Sequence, residues 1–329
     1  MSENKKRVFL FDNLKAFLII LVVIGHFLEE CFVNLDEYKS IVLFIYSFHM
    51  PLFIMISGHF HKNNHILKKV ISYVAIGYVL KIIFFLYNYY IRQTAPIFYV
   101  FSENGLPWYM FVLAFYIFVT YVFRNIDKKY LILISIVAAC IAGYNVNIGN
   151  FLCLSRIIVF YPFYLIGQYI STDNILKLNK NRILKLLSIV IVTICIVMCF
   201  IYYDDLIVLK PLFTGKHSYF VNDLFVTYGP LYRLLMYFIS CSLSVFIVCL
   251  IPNRFHSLLS NIGKNTLQIY FWHYIFLYIL IDTRIMNYIF SLSEGGTIWF
   301  LCSIITTVIL SLKIFRVPVK NIISLCQSL

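Results

Sequence analysis

Apolar runs as long as a bilayer is thick constrain a chain more than any other feature, and here they recur from end to end. A hydrocarbon core about 30 Å thick needs about 20 apolar residues of helix to cross it. Inside hydrocarbon no water can satisfy a backbone N–H or C=O, so the crossing segment must be helical. The runs place spans at roughly 9–30, 41–60, 67–90, 107–123, 130–145, 154–170, 185–203, 230–251, 265–281 and 297–315. The expectation is an all-α polytopic membrane protein of about ten transmembrane helices, one domain over 1–329. Composition agrees, with 62% hydrophobic and only 12% charged residues, where soluble domains carry about 25% charged.

Ten spans put both termini on one side, and charge says which. With a cytoplasmic N-terminus, only Lys39, Arg92, Arg156, Lys210, Lys216, Arg233 and Arg284 fall outside. Lys81 sits mid-span, and the remaining Lys and Arg fall inside, as the positive-inside rule requires. That pattern accounts for the net charge of +13 without nucleic acid as a partner. Lys5, Lys6 and Arg7 precede the first run as in a signal peptide. The run is too long and no small-residue cleavage site follows, so it reads as an uncleaved first span. The nine cysteines lie mostly in apolar runs without a C-x-x-C pair, which gives packing residues and no metal site. The tract 171–184 reads as a basic cytoplasmic loop, and 204–229, the longest outer loop, as a solvated connector.

Ionisable groups inside such runs cost energy and mark function by default. Residues 9–61 concentrate them: Asp12, Lys15, His26, Glu29, Glu30, His49, Ser57 and His59. Lys15 and His26 are eleven positions apart, about three helical turns and about 16 Å, so they share a face. Asp12 lies three residues before Lys15, and Glu29 and Glu30 follow His26 closely enough to orient its imidazole. In the second span, Pro51 interrupts an apolar helix just after His49, and backbone freed by proline often lines a cavity.

Residues 11–26, FDNLKAFLIILVVIGH, resemble the opening motif of the acyltransferase-3 family of integral membrane acyltransferases. In that family a basic residue, usually Arg, precedes an essential His by eleven positions. Lys15 stands here at the basic position, which keeps the charge and loses the bidentate fork. The stretch FHMPLFIMISGHF (48–60) is similar to the family's second-span motif in the branch related to fucose 4-O-acetylases. Pro107-Trp108-Tyr109, Arg156 with Phe160-Tyr161-Pro162 through Gly167, and Gly263-Lys264-Asn265 through His273 extend the likeness.

The resemblance implies a bacterial inner-membrane (plasma-membrane) multi-pass enzyme. It would move an acyl group, usually acetyl from acetyl-CoA, to a hydroxyl of a cell-surface or lipid-linked glycan such as a capsule or exopolysaccharide. Partners are then acetyl-CoA, the glycan acceptor and the bilayer, with no permanently bound cofactor. A sugar hydroxyl needs a base near neutral pH, which His26 can be. Lys15 supplies donor-side charge, with His49, Arg156 and His273 as supporting site residues. Arg156, Tyr270 or backbone N–H groups near Ser57-Gly58 are candidates for the oxyanion. Lys15, Lys62, Lys68 and Lys69 are candidates for the coenzyme's phosphates. Direct transfer and an acyl-enzyme relay both satisfy the sequence. The competing class is a transporter or flippase of a lipid-linked saccharide, which would show paired broken helices in matching halves. Pro51 and Pro162 lack matching flanks.

Overall fold

A computed structural model describes residues 8–31, 38–103 and 105–328. Lys5, Lys6 and Arg7, counted above among the inner charges, lie outside the described residues. Helices dominate, and the described residues hold no strand beyond an isolated bridge between Ser102 and Phe151. Those of eight residues or more begin with α1 (Phe9–Glu29), α2 (Lys39–Tyr46), α3 (His49–His59), α4 (Ile66–Tyr90) and α5 (Trp108–Val122). Next come α6 (Lys128–Ala142), α7 (Leu154–Tyr169), α8 (Thr172–Lys180), α9 (Arg182–Ile201) and α10 (Asp223–Leu250). The last are α11 (Ser257–Lys264), α12 (Thr266–Asp282), α13 (Gly295–Leu310) and α14 (Val319–Ser328). Five stretches are long and apolar enough to cross a membrane: Phe9–Glu29, Lys39–His59, Ile66–Tyr90, Arg182–Ile201 and Asp223–Leu250. Trp108–Val122 and Gly295–Leu310 are apolar but shorter.

The chain divides into two compact units. The first draws on Met1–Ile45, Thr172–Ile201 and Leu243–Arg316. In it α1 packs on α11, α12 and α13. The approach to α11 is at backbone range, because a Cβ on Gly263 would stand 1.9 Å from the Asp12 carbonyl oxygen. The start of α1 needs partners for its orphan N–H groups, and Leu10 N–H donates to Asn253 Oδ1 at 3.0 Å. Asn13 then ties the helix to the same loop, donating from Nδ2 to the Pro252 and Arg254 carbonyls at 2.7 and 2.9 Å. At the far end Trp299, fully buried, donates from Nε1 to the Phe27 carbonyl at 2.8 Å. Gln268 covers the open end of α13, giving its amide to the Leu310 and Leu312 carbonyls.

The tract 171–184 is not a loop. Most of it is α8 and the start of α9, and Asn179 of α8 donates to the Val248 and Ile251 carbonyls at 2.8 Å each. Its leucines and isoleucine recur at helical spacing among the lysines, a pattern outweighed in the sequence reading by polarity.

The second unit draws on Tyr46–Ser171, Tyr202–Ser242 and Val317–Leu329. Its centre is the crossing of α3 and α7. Gly58 and Gly167 make that crossing reciprocally: a Cβ on the first would meet the Tyr164 carbonyl oxygen at 2.0 Å, and on the second that of Met55 at 1.9 Å. The helical break lies before His49 rather than after it, at Ser47-Phe48, and Pro51 sits in the first turn of α3. Proline is tolerated there, but it cannot donate to the carbonyl four residues back. That carbonyl, of Ser47, accepts instead from the buried Ser240 hydroxyl at 2.6 Å. The mid-span Lys81 is also accounted for. Its ammonium lies 3.2 Å from Glu103 Oε2 and donates to the Ser102 carbonyl at 2.6 Å.

Residues 204–229 are more than a solvated connector. They form short turns at Tyr203–Leu206, Lys210–Thr214 and Tyr219–Val221, then enter α10 at Asp223. Tyr219 is fully buried, and its N–H donates to the Gly143 carbonyl at 2.7 Å.

Candidate active site

In the first unit, α1 carries Lys15 near its start and His26 near its end. Lys15 is partly exposed, with Nζ 3.7 Å from Oδ1 of the buried Asp12. His26 is partly exposed, and its ring faces two consecutive residues of α12. The centroids lie 5.4 Å from His273 and 5.1 Å, edge-on, from Tyr274.

His273 is fully buried. Its Nδ1 lies 3.1 Å from the Ile269 carbonyl and 2.8 Å from that of Tyr270. Both neighbours are acceptors, so Nδ1 must carry the proton and donate. Nε2, on the other side of the ring, meets no protein partner among the described residues. The Tyr274 hydroxyl donates to Glu30 Oε1 through a short hydrogen bond. Glu30 therefore engages the tyrosine that flanks His26. Tyr270, an oxyanion candidate, lies on the same helix with its ring 6.0 Å from His273.

The end of α1 is held from several sides. Besides Trp299 on the Phe27 carbonyl, Cys31 Sγ donates to Met286 Sδ at 3.2 Å. Partly exposed His26 is thus carried on a held backbone against buried His273 and partly exposed Tyr274. These two rings restrain the imidazole's rotamers.

His49 and Arg156 belong to the second unit, on α3 and α7. His49 is buried with its ring 5.0 Å from Tyr46, over which Lys210 places its ammonium at 5.1 Å. Arg156, near the start of α7, stacks its guanidinium on Trp108 at 4.6 Å. The preceding hydroxyl, of Ser155, donates to the Gly215 carbonyl at 2.7 Å. Lys216 and His217 follow directly. His217 is held below the ordinary histidine range by burial first, then by the charges of Lys216 and Arg156.

The remaining polar residues of the second-span motif are taken up locally. Ser57 donates to the Phe53 carbonyl and meets the Tyr109 hydroxyl, each at 3.0 Å. Ser57 and Gly58 lie inside α3, where their N–H groups serve the helix ladder, so they offer no oxyanion donors. His59 Nδ1 lies 3.1 Å from the Ile170 carbonyl. Lys62 is exposed, Lys68 donates to the Gln327 carbonyl, and Lys69 to the Lys62 carbonyl and Asn64 Oδ1. The acceptors in these contacts are carbonyl and amide oxygens rather than carboxylates. No group of three or more His, Cys, Asp or Glu with metal-binding geometry occurs among the described residues.

The structure therefore brings His26 and His273 together, with Tyr274 and Glu30 completing the cluster. Tyr274 was missed because it neighbours His273 in sequence, and spacing rules reward residues three or four apart. Arg233 was missed differently. It was counted with the outer charges, yet α10 begins ten residues earlier and buries it fully.

Comparison with known proteins places these residues in context. The family model described as "Acyltransferase domain", that of the acyltransferase-3 family, matches residues 9–316. No curated protein and no solved structure matches the chain.

Proposed function

The chain belongs to the acyltransferase-3 family, a membrane acyltransferase with several helices of spanning length, and from that premise we propose an O-acetyltransferase of surface glycans. It takes acetyl from cytoplasmic acetyl-CoA and passes it to a hydroxyl of a cell-surface or lipid-linked glycan such as a capsule or exopolysaccharide. Ten spans with both termini cytoplasmic, in a bacterial inner membrane, are the topology we assign it. Lys15 then lies near the cytoplasmic face and His26 about 16 Å deeper.

The observation that carries this reading is the His26 cluster. A half-exposed imidazole backed by His273, Tyr274 and Glu30 is placed as a general base needs to be. His26 takes the proton of the acceptor hydroxyl as its oxygen attacks the thioester carbonyl. The C–S bond then breaks, and the imidazolium returns the proton to the leaving sulfur. Lys15 meets charge on the donor. In the second unit, His49 and Arg156 are supporting residues, and Lys62, Lys68 and Lys69 are cations offered to phosphate.

The test is the acyl content of the host's surface glycan by proton NMR, in a deletion strain complemented with wild type or His26→Ala. Membrane levels of both proteins are matched by immunoblot. Wild type should restore an O-acetyl signal that His26→Ala does not, since loss of a general base costs about 10²- to 10⁴-fold. Full restoration by His26→Ala would remove His26 as base. Intact acylation in the deletion with glycan missing from the surface would favour a transporter.

A further inference from the structure

Arg233 is the most deeply buried cation described in the second unit, with no exposed surface. It sits on α10 one turn beyond Pro230, below a kink where Tyr228 leaves helical geometry. One guanidinium nitrogen, Nη1, donates to the Leu212 carbonyl at 3.1 Å. The carbon of the guanidinium lies 5.6 Å from the centre of the Tyr219 ring. Nε and Nη2 are buried and meet no acceptor among the described residues. By covalent geometry these two nitrogens form one edge of the guanidinium, and their N–H bonds point the same way. That edge is the fork that grips two oxygens of a carboxylate or phosphate.

Among the described residues no carboxylate forms an ion pair with Arg233. The groups that sense its charge are Tyr219, Tyr237 and Cys140, which are neutral at ordinary pH. The Tyr219 hydroxyl is itself buried without a hydrogen-bond partner, close enough to the guanidinium to interact with it. A buried cation without a counter-charge weakens a fold, and an apolar side chain of its size would serve packing better. A structural strut between Leu212 and Tyr219 explains Nη1 and the ring contact, and leaves the Nε–Nη2 edge without a role.

We propose that this edge of Arg233, with the Tyr219 hydroxyl beside it, binds an oxyanion, a carboxylate or phosphate, carried by the acceptor glycan. The assignment to the acceptor rests on the acyltransferase reading above. The oxyanion site does not. The Leu212 carbonyl and the Tyr219 ring that meet Arg233 come from residues 203–222, which face the outer side in the assigned topology, and Cys140 of α6 lies near as well. Leu212 belongs to the turn Lys210–Thr214, and Tyr219 is lodged against Gly143 and Gly229, where a Cβ would meet its ring at 2.3 Å. The fork thus lies against the segment that an extracytoplasmic acceptor meets first. The enzyme would acetylate an acidic glycan, with the anionic group of one sugar setting which hydroxyl is presented.

The full-length chain is purified in maltoside micelles, which hold no phosphate, and its unfolding temperature is followed with four additions. These are sodium glucuronate, sodium phosphate, glucose, and the anionic phospholipid phosphatidylglycerol, each against sodium chloride of equal ionic strength. Glucuronate or phosphate should raise the unfolding temperature by roughly 3–6 °C, while glucose leaves it unchanged. Arg233→Met should unfold no lower than wild type and lose the rise. Arg233→Lys, which keeps the charge without the fork, should retain less than half of it, which covers the case in which Arg233→Met does not fold.

No rise in wild type, an equal rise with glucose, or a rise preserved in Arg233→Met or in full in Arg233→Lys would overturn the proposal. A rise with phosphatidylglycerol alone would overturn the glycan assignment and make the site a lipid-headgroup site. A glucuronate rise that depends on Arg233, in a protein whose His26→Ala variant still acetylates, would keep the oxyanion site and remove only its link to this acyl transfer.

Discussion

The helices α1 and α3 carry the two motifs that point to the same family, yet they spend their polar residues in opposite ways. On α3, Ser57 bonds Phe53 and Tyr109, His59 approaches the Ile170 carbonyl, and the carbonyl freed by Pro51 is taken by Ser240. These groups hold helices together. On α1, Asn13 is spent in that manner, fastening the helix to the Pro252 and Arg254 carbonyls. His26 remains half exposed against His273 and Tyr274, and Lys15 stays partly open beside Asp12. Under the proposed function, two motifs of similar composition thus divide into a scaffold and a reactive face. Within a membrane a polar residue has these two uses, to satisfy backbone or to meet a ligand, and its neighbours decide which.

In one respect the two helices are alike, and that likeness carries the largest expected effect. Each crosses a partner at backbone range over a glycine, Gly58 against α7 and Gly263 against α1. Alanine at either position sets a Cβ about 2 Å from a main-chain oxygen, which no rotamer change relieves. Gly58→Ala and Gly263→Ala should each cost at least about 3 kcal/mol and remove most of the folded monomer in fluorescence-detected size exclusion. A normal monomer peak from either variant would show that the crossing is looser than the geometry states.

A smaller effect separates the two helices. Tyr274→Phe deletes the hydroxyl that Glu30 accepts and keeps the ring against His26. Acyl transfer should fall about tenfold, with the unfolding temperature nearly unchanged, as for one lost positioning contact. Ser57→Ala should do the reverse, leaving transfer intact and costing about 1 kcal/mol of stability. If Ser57→Ala loses more activity than Tyr274→Phe, the division into scaffold and reactive face is wrong.

Much of this was legible from residue order. The helices follow from apolar run length, and the family follows from Lys15, His26 and the motifs around Pro51, Trp108, Arg156 and His273. The pairing of His26 with His273 was available only as two separate entries in those motifs, since no spacing rule joins residues 247 positions apart. Helical caps were hidden for the same reason: Asn179 in a Lys- and Asn-rich tract looks like loop until Val248 and Ile251 stand before it. Arg233 was visible as a charge and was misplaced because Pro230 was taken to open the span. A proline can sit inside a helix when the turn before it gives way, as at Tyr228. The break at Ser47-Phe48 was likewise displaced by attributing it to the ring of Pro51 itself, when the steric conflict falls on the residues before it.

The smallest expected effect is the share of the pH dependence that two loop histidines of the second unit contribute. His61 lies in the loop after α3, with Nδ1 2.8 Å from the Tyr164 hydroxyl and Nε2 2.7 Å from Asn63 Oδ1. Burial holds it below the ordinary value of 6.5, the hydrogen bond it donates to Asn63 pulls the other way, and the charges of Lys69 and Lys128 add to the lowering. His217 is lowered by burial with Lys216 and Arg156. A histidine whose pKa is lower folded than unfolded binds fewer protons in the folded state. The stability it contributes is therefore complete above about pH 6.5 and is lost as pH falls through that value. Both side chains are about half buried, so solvent screening keeps the effect to about 1–3 °C in unfolding temperature between pH 7 and pH 5. His61→Gln, which can still bond Tyr164, should flatten part of that slope and leave the pH 7 value nearly unchanged. A slope that steepens in His61→Gln would mean that the loop gains from protonation, and that Lys69 and Lys128 are too well screened for their repulsion to reach it.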